Sequence, residues 1–177
     1  MHHDTLPYLM FFSLSLAVAA CSGEKSVGSG AAAVNVAGNY SVTVTNGPDG
    51  CNISSWHEGD VNANVPVALM QQGTAVTGTV GGIAGALFAL AVGTAEFHGT
   101  IGGDTVDMTA YGTIGKTTGN CAYTNNAVLH LQASGDFIQG TLRYQPSGNG
   151  NPDCASLTAC TSVQNINGTR PPQSGTP

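Results

Sequence analysis

The chain between Val36 and Arg170 alternates apolar and polar residues with a period of two, and no helical spacing is sustained there. In the first run, Tyr40, Val42 and Val44 alternate with serine and threonine. The alternation recurs in seven further runs, at residues 65–69, 76–80, 97–101, 106–110, 129–131, 138–142 and 163–170. Because successive side chains of a strand point to opposite faces, the pattern predicts an all-β domain of eight strands.

The connections between these runs alternate between short and long. Each short connection fits a two-residue hairpin turn whose second residue is glycine, at Gln72-Gly73, Gly102-Gly103 and Ser134-Gly135. Pairing outward from the turns sets apolar residues opposite one another, Leu69 with Val76, Phe97 with Met108 and Leu131 with Ile138. The long connections cover residues 46–64, 82–92, 115–120 and 146–157. This order predicts a single eight-stranded antiparallel up-and-down β-barrel, with the tight turns at one end and the long loops at the other.

Two features of the predicted strands resemble the calycin group of barrels, the lipocalins and avidins. Glycines of a recurring Gly-Thr pair, including Gly99 and Gly140, lie on the apolar faces of their strands. Lipocalins open their first strand with Gly-x-Trp and stack a basic residue of the last strand on that ring. Here Gly38-Asn39-Tyr40 and Arg170 stand in the matching places, with Tyr for Trp. The resemblance implies a barrel floor built by these residues and a cavity that opens among the long loops.

The N-terminal segment resembles the export signal of bacterial lipoproteins. An apolar run ends in Val18-Ala19-Ala20-Cys21, which is similar to the lipobox at which such proteins are cut and lipidated. The resemblance implies a signal peptide at 1–20, a lipidated Cys21, and, because Ser22 follows, an outer-membrane location facing the periplasm or the cell surface. Composition predicts a flexible tether through residue 35, a barrel domain at 36–170 and a disordered tail at 171–177.

The four remaining cysteines lie in or beside the long loops. An even number in an oxidising compartment favours two disulfides over metal ligation. Adjacency of the loops around the rim favours Cys51 with Cys160 and Cys121 with Cys154. Cys51 with Cys121 and Cys154 with Cys160 is the alternative. Either pairing is expected to stiffen the rim and to preorganise it for binding.

The same rim holds the candidate binding residues. Residues 83–91 form an apolar stretch in a predicted exposed loop, with Leu87 and Phe88 at its centre. This stretch is interpreted as a lid, a partner contact or a membrane contact, and a buried helix or strand is the alternative. Trp56, the only tryptophan, lies in the first long loop. By strand parity Tyr123 and Tyr144 point inward near the mouth, where they would contact a ligand or fill the barrel top.

Charge and composition exclude several classes of function. Four Lys and Arg against ten Asp and Glu give a net charge of −6, which cannot supply the basic surface that nucleic acid requires. No nucleophile, base and orienting group can be placed around one cavity, so no enzyme is predicted. The cluster of His57, Glu58 and Asp60 has no fourth ligand at a fixed spacing, so neither a metal nor another cofactor is expected.

Three functions remain compatible with the sequence. The first is a carrier of a small apolar molecule or lipid, which requires a hollow barrel. The second is an inhibitor that blocks a protease or lysozyme with its rim loops, which requires an exposed Trp56 or an exposed 83–91 segment. The third is a structural lipoprotein of the envelope with a filled barrel. All three use the membrane as a partner through the lipid anchor.

Overall fold

A computed structural model describes residues 33–172 of the chain as strands joined by tight turns at one end and longer connections at the other. The predicted signal peptide, Cys21 and most of the predicted tether and tail lie outside the described residues. The elements are β1 (Gly38–Asp49), β2 (Val61–Gln72), β3 (Ala75–Val80), α1 (Gly82–Val92), β4 (Glu96–Gly102), β5 (Thr105–Ala110), β6 (Lys116–Thr118), β7 (Cys121–Ser134), β8 (Phe137–Gly148), a 3-10 turn (Pro152–Cys154), α2 (Ala155–Thr158) and β9 (Ser162–Thr169).

The strands form one sheet that closes on itself. The order of hydrogen-bonded neighbours is β5-β4-β3-β2-β1-β9-β8-β7, and β5 pairs with β7 to complete the circle. Every pairing is antiparallel. The short β6 pairs with β7 beyond the stretch that β5 occupies, so it extends the rim without entering the circle. The predicted eight-stranded up-and-down barrel is confirmed.

The three tight turns lie one residue later than predicted. Their central residues are Gly73-Thr74, Gly103-Asp104 and Gly135-Asp136, as the terminal pairs of the three hairpins show. Glycine therefore comes first, with φ of 61°, 63° and 59°, and no second residue has a positive φ. This is the pattern of a type II′ turn, not the type I′ turn expected. Each predicted register is accordingly wrong by two residues, and Leu69, Met108 and Leu131 lie opposite Gly78, Gly99 and Gly140.

The glycines on the inner face permit close approach between neighbouring strands. A Cβ at Gly99 would overlap the carbonyl oxygen of Asp107, and one at Gly140 would overlap that of His130. Both glycines face a large apolar residue across the ladder, Met108 or Leu131. The Gly-Thr repeat therefore marks positions where the wall of the barrel coils tightly.

Three of the long connections contain elements of their own, and the one at residues 146–157 holds the 3-10 turn and the start of α2. Residues 82–92 form the helix α1, which was the alternative to an exposed loop for this stretch, and one side of the helix packs on the barrel. Residues 116–118 form β6. Within residues 33–172, no helix combines the length and apolar character needed to cross a bilayer.

The tight-turn end is closed by a floor that includes the predicted residues. The Arg170 guanidinium carbon lies 5.4 Å from the centre of the Tyr40 ring, and the Tyr40 hydroxyl donates to the Val36 carbonyl at 3.1 Å. Gly38 begins β1 and pairs with Leu69. The buried Val36 and the hydrogen bond from Val34 N to the Gly103 carbonyl at 2.9 Å tie the preceding segment to this end. The ordered contacts thus begin before residue 36, inside the predicted tether.

Candidate functional site

The barrel is hollow towards its long-loop end. A cavity of about 450 Å³ lies between the inner faces of the strands and α1. Most of its lining is aliphatic or aromatic, with Leu69, Phe97 and Met108 among the deep residues. A volume of this size and an apolar lining are typical of pockets that take small molecules. The barrel is therefore not filled by its own side chains.

α1 covers this cavity from the side of β3 and β4. The residues of α1 that pack on the barrel interior are Ala84, Phe88 and Ala91. The Phe88 ring stacks on Phe97 with centroids 5.2 Å apart and an interplanar angle of 28°. The buried Val92 fixes the end of the helix, because its carbonyl accepts from Thr113 N at 2.8 Å. α1 is thus a cover that packs on the cavity with an apolar face.

Trp56 lies at the mouth on the β1–β2 loop and is half-buried. Its indole nitrogen donates to the Gly47 carbonyl at 2.8 Å. Its ring meets Tyr144 edge to face, with centroids 6.0 Å apart and planes at 86°. The hydrogen bond of the indole nitrogen and the packing of the ring hold the side chain in place, so Trp56 forms part of the cavity wall.

Tyr144 introduces polarity into the upper cavity. Its hydroxyl donates to Gln164 Oε1 at 3.1 Å, and Gln164 Nε2 donates to Asn46 Oδ1 at 2.8 Å. All three residues line the cavity. Burial raises the pKa of Tyr144 to about 12. These three residues form a polar relay that stays uncharged at neutral pH. A ligand can therefore hydrogen-bond to the relay without meeting a charged group.

Charge near the cavity is confined to its mouth. Asp60 is the one charged residue among the described residues that line the cavity. Its carboxylate lies 3.4 Å from His57 Nδ1, and both side chains are exposed. Across residues 33–172, no group of three or more His, Cys, Asp or Glu side chains is arranged to hold a metal ion. His130 pairs with Asp107 at 2.6 Å on the outside of the barrel, away from the cavity.

Two disulfides brace the rim, in the pairing that loop adjacency favours. Cys51–Cys160 joins the β1–β2 loop to the connection before β9, and Cys121–Cys154 joins the start of β7 to the 3-10 turn. Asp49 reinforces the first link, because it accepts from Ser162 Oγ at 2.5 Å and from Ile53 N at 2.6 Å. The hydrogen bond from Ser162 is the largest cause that lowers the pKa of Asp49.

The structure brings four of the five proposed ligand-contact residues to one cavity. Trp56, Leu87, Phe88 and Tyr144 line it. Tyr123 does not, because it lies where β7 pairs with β6 and β8 beyond the barrel circle. Parity gives the face of a strand but not the height along it, so the sequence could not separate Tyr123 from Tyr144.

Three polar lining residues, Asn46, Asn62 and Gln164, were missed by the sequence analysis. Gln164 shares the parity of Ile166 and Gly168 on the last strand, and that signal could have identified it. Asn46 was assigned to a loop, although β1 continues to Asp49. Comparison with protein-family models, curated proteins and solved structures finds no match.

Proposed function

We propose that this protein is a non-enzymatic binding lipoprotein of the bacterial envelope that holds a small apolar molecule or a lipid tail in its barrel. The apolar cavity of about 450 Å³ is the observation that carries the proposal. At roughly 30 Å³ for each small group, the volume of one water in the liquid, it has room for about fifteen methylene-sized groups. A chain or ring system of that size would bury most of its apolar surface there.

The location follows from the N-terminal motif. We propose lipidation at Cys21 and attachment to the outer membrane, on the resemblance of Val18-Ala19-Ala20-Cys21 to a lipobox. The contact of Arg170 with the Tyr40 ring supports the calycin-like interpretation of the barrel floor. No cofactor is part of the proposal.

The inhibitor and structural alternatives have less support. An inhibitor that used Trp56 would present its ring to a partner, whereas the indole is bonded to Gly47 and packed on Tyr144. An inhibitor that used the exposed side of the 83–91 segment instead would leave the cavity without a role. A structural barrel would be filled, whereas this barrel retains a cavity. The carrier function is the one that uses both observations.

Trp56 provides the test, since it is the only tryptophan and lines the cavity. The full chain with its disulfides intact is titrated with the uncharged probe N-phenyl-1-naphthylamine, and energy transfer from Trp56 is recorded. We expect saturable transfer at one site. Val44→Phe places a ring into the cavity and should weaken binding at least about tenfold, or 1.4 kcal/mol.

Val128→Phe is the matched control, because Val128 is absent from the cavity lining and lies on the strand face opposite to Leu129 and Leu131. It should bind the probe as the unchanged protein does. Equal binding by Val44→Phe, or no saturable transfer in folded protein, would refute the carrier function. The second result would favour the inhibitor or structural alternatives.

A further inference from the structure

α1 carries a second apolar face that points away from the barrel. Ile83, Leu87 and Leu90 recur at helical spacing and have exposed fractions of 81%, 60% and 73%. α1 contains no charged and no hydrogen-bonding side chain. A single exposed leucine is ordinary, but a stripe of three large side chains on one helix is typical of a surface that contacts something apolar.

This outer stripe is continuous with the cavity. Leu87 belongs to both, because it is exposed and also lines the cavity. In the neighbouring β1–β2 connection and at the start of β2, Ile53 and Val61 likewise line the cavity and are exposed. One apolar surface therefore runs from the outside of α1, across the mouth and into the barrel.

The chemistry of the stripe fits a bilayer surface better than a protein. Protein interfaces use aromatic and arginine anchors with hydrogen bonds around them, and α1 offers no such group on its outer face. Insertion at the boundary of headgroups and acyl chains requires only apolar area. The absence of basic residues from α1 and the net charge of −6 point to uncharged lipid, since anionic headgroups would repel the chain.

The chain length between the anchor motif and the barrel allows this orientation. Ala33 leads into the tight-turn end, and α1 lies at the other end. The interval from Cys21 to Ala33 can span at most about 40 Å. The twelve residues of β1 at about 3.3 Å each, tilted by about 40°, give a barrel roughly 30 Å long. A lipid on Cys21 and the α1 face can therefore reach the same membrane.

We infer that the outer face of α1 docks on the bilayer that holds the anchor, with the cavity mouth against the acyl chains. An apolar ligand then passes between bilayer and cavity without crossing water. This inference rests on the proposed function and on the anchor at Cys21. The donor or acceptor of the ligand is then an uncharged lipid surface.

The test places the reporter tryptophan on the stripe. The full chain is reconstituted into phosphatidylcholine vesicles with or without brominated acyl chains, as the double variant Trp56→Phe, Leu90→Trp. Because bromine quenches tryptophan on contact, we expect at least about twofold lower fluorescence in the brominated vesicles. The matched control is Trp56→Phe, Phe137→Trp, since Phe137 is 63% exposed at the opposite end and should not be quenched.

Each other outcome overturns the docking. Quenching only at position 137 would show that the tight-turn end faces the membrane, and quenching at neither position would show that the domain stands away from it. Quenching at both would mean that the barrel lies on its side. A blue shift of the Leu90→Trp protein that rises with concentration in the absence of vesicles would assign the stripe to a second copy. The probe titration at Trp56 is separate, so docking and binding can fail independently.

Discussion

At the scale of single residues, Arg170 is the most constrained side chain of the barrel floor. It is buried, and its guanidinium donates to Asp136 Oδ1 at 3.0 Å, to the Ala37 carbonyl at 2.5 Å and to the Asn35 carbonyl at 2.9 Å. The last strand, the tight turn before β8 and the segment before β1 are thereby joined at one point. Its removal would leave a carboxylate and several carbonyls without their donor.

We therefore expect Arg170→Met to lower the free energy of unfolding by about 2 to 3 kcal/mol, because carbonyl groups lose their donor while the carboxylate of Asp136, which is 29% exposed, regains water. Arg143→Met is the control, because Arg143 is exposed on β8, and it should change stability by less than about 0.5 kcal/mol. Urea unfolding followed by circular dichroism measures both. Equal losses of stability in the two variants would contradict the role of Arg170 in the barrel floor.

Tyr144 gives a prediction about pH. Its pKa is raised from 10.0 to about 12 by burial, so the folded state holds the phenol proton more tightly than the unfolded state does. The associated stability, about 3 kcal/mol, is present below pH ~10 and is lost as the pH rises from about 10 to about 12. Tyr144→Phe should remove this loss.

The check uses the ultraviolet absorbance of tyrosinate. Subtracting the titration of Tyr144→Phe from that of the unchanged protein should leave one transition near pH 12. A difference transition near pH 10 would mean that the phenol is hydrated, and the relay from Tyr144 through Gln164 to Asn46 would then be open to water.

At the scale of elements, the two disulfides are predicted to differ in how much they contribute to the free energy of unfolding. Cys51–Cys160 closes a separation of 109 residues and Cys121–Cys154 one of 33. Loop-closure entropy assigns them about 5 and about 4 kcal/mol respectively. Replacing Cys51 and Cys160 by alanine should therefore destabilise the fold by about 1 kcal/mol more than replacing Cys121 and Cys154. Urea unfolding of both double variants under oxidising conditions measures the difference, and the reverse order would contradict it.

The strands and α1 also differ in how much of them could be predicted from the sequence. The faces and neighbours of the strands could be predicted because alternation fixes which side chains share a face. The hairpin registers could not, since a shift of two residues leaves every face unchanged and still pairs Leu69 with an inward residue. α1 could be predicted only as an alternative to an exposed loop, because its sequence is apolar all round and has no amphipathic periodicity.

At the scale of the whole molecule, the topology of the strands could be predicted better than the volume left inside the barrel. The alternation of short and long connections is sufficient to predict an up-and-down barrel, and the pairing of β5 with β7 closes it. Whether the interior is hollow depends on which inward residues meet across the barrel, and the register decides that: Gly78, opposite Leu69, lines the cavity. The cavity lies at the end where the sequence placed the candidate residues, whereas the polar relay through Gln164 depended on strand lengths that the pattern does not give.

The helix over the cavity is an insertion between two strands that already pair with each other. β3 and β4 are hydrogen-bonded from Ala75–Thr100 to Thr79–Glu96, and α1 lies in the connection between them. The wall of the barrel is thus complete without its cover. Displacing the cover breaks no rung of the ladder between β3 and β4, although it exposes the apolar side that Ala84, Phe88 and Val92 pack on the barrel. Substitutions at the exposed Ile83, Leu87 and Leu90 should therefore change the rate of ligand exchange with less effect on the rate of unfolding than substitutions on the packed side.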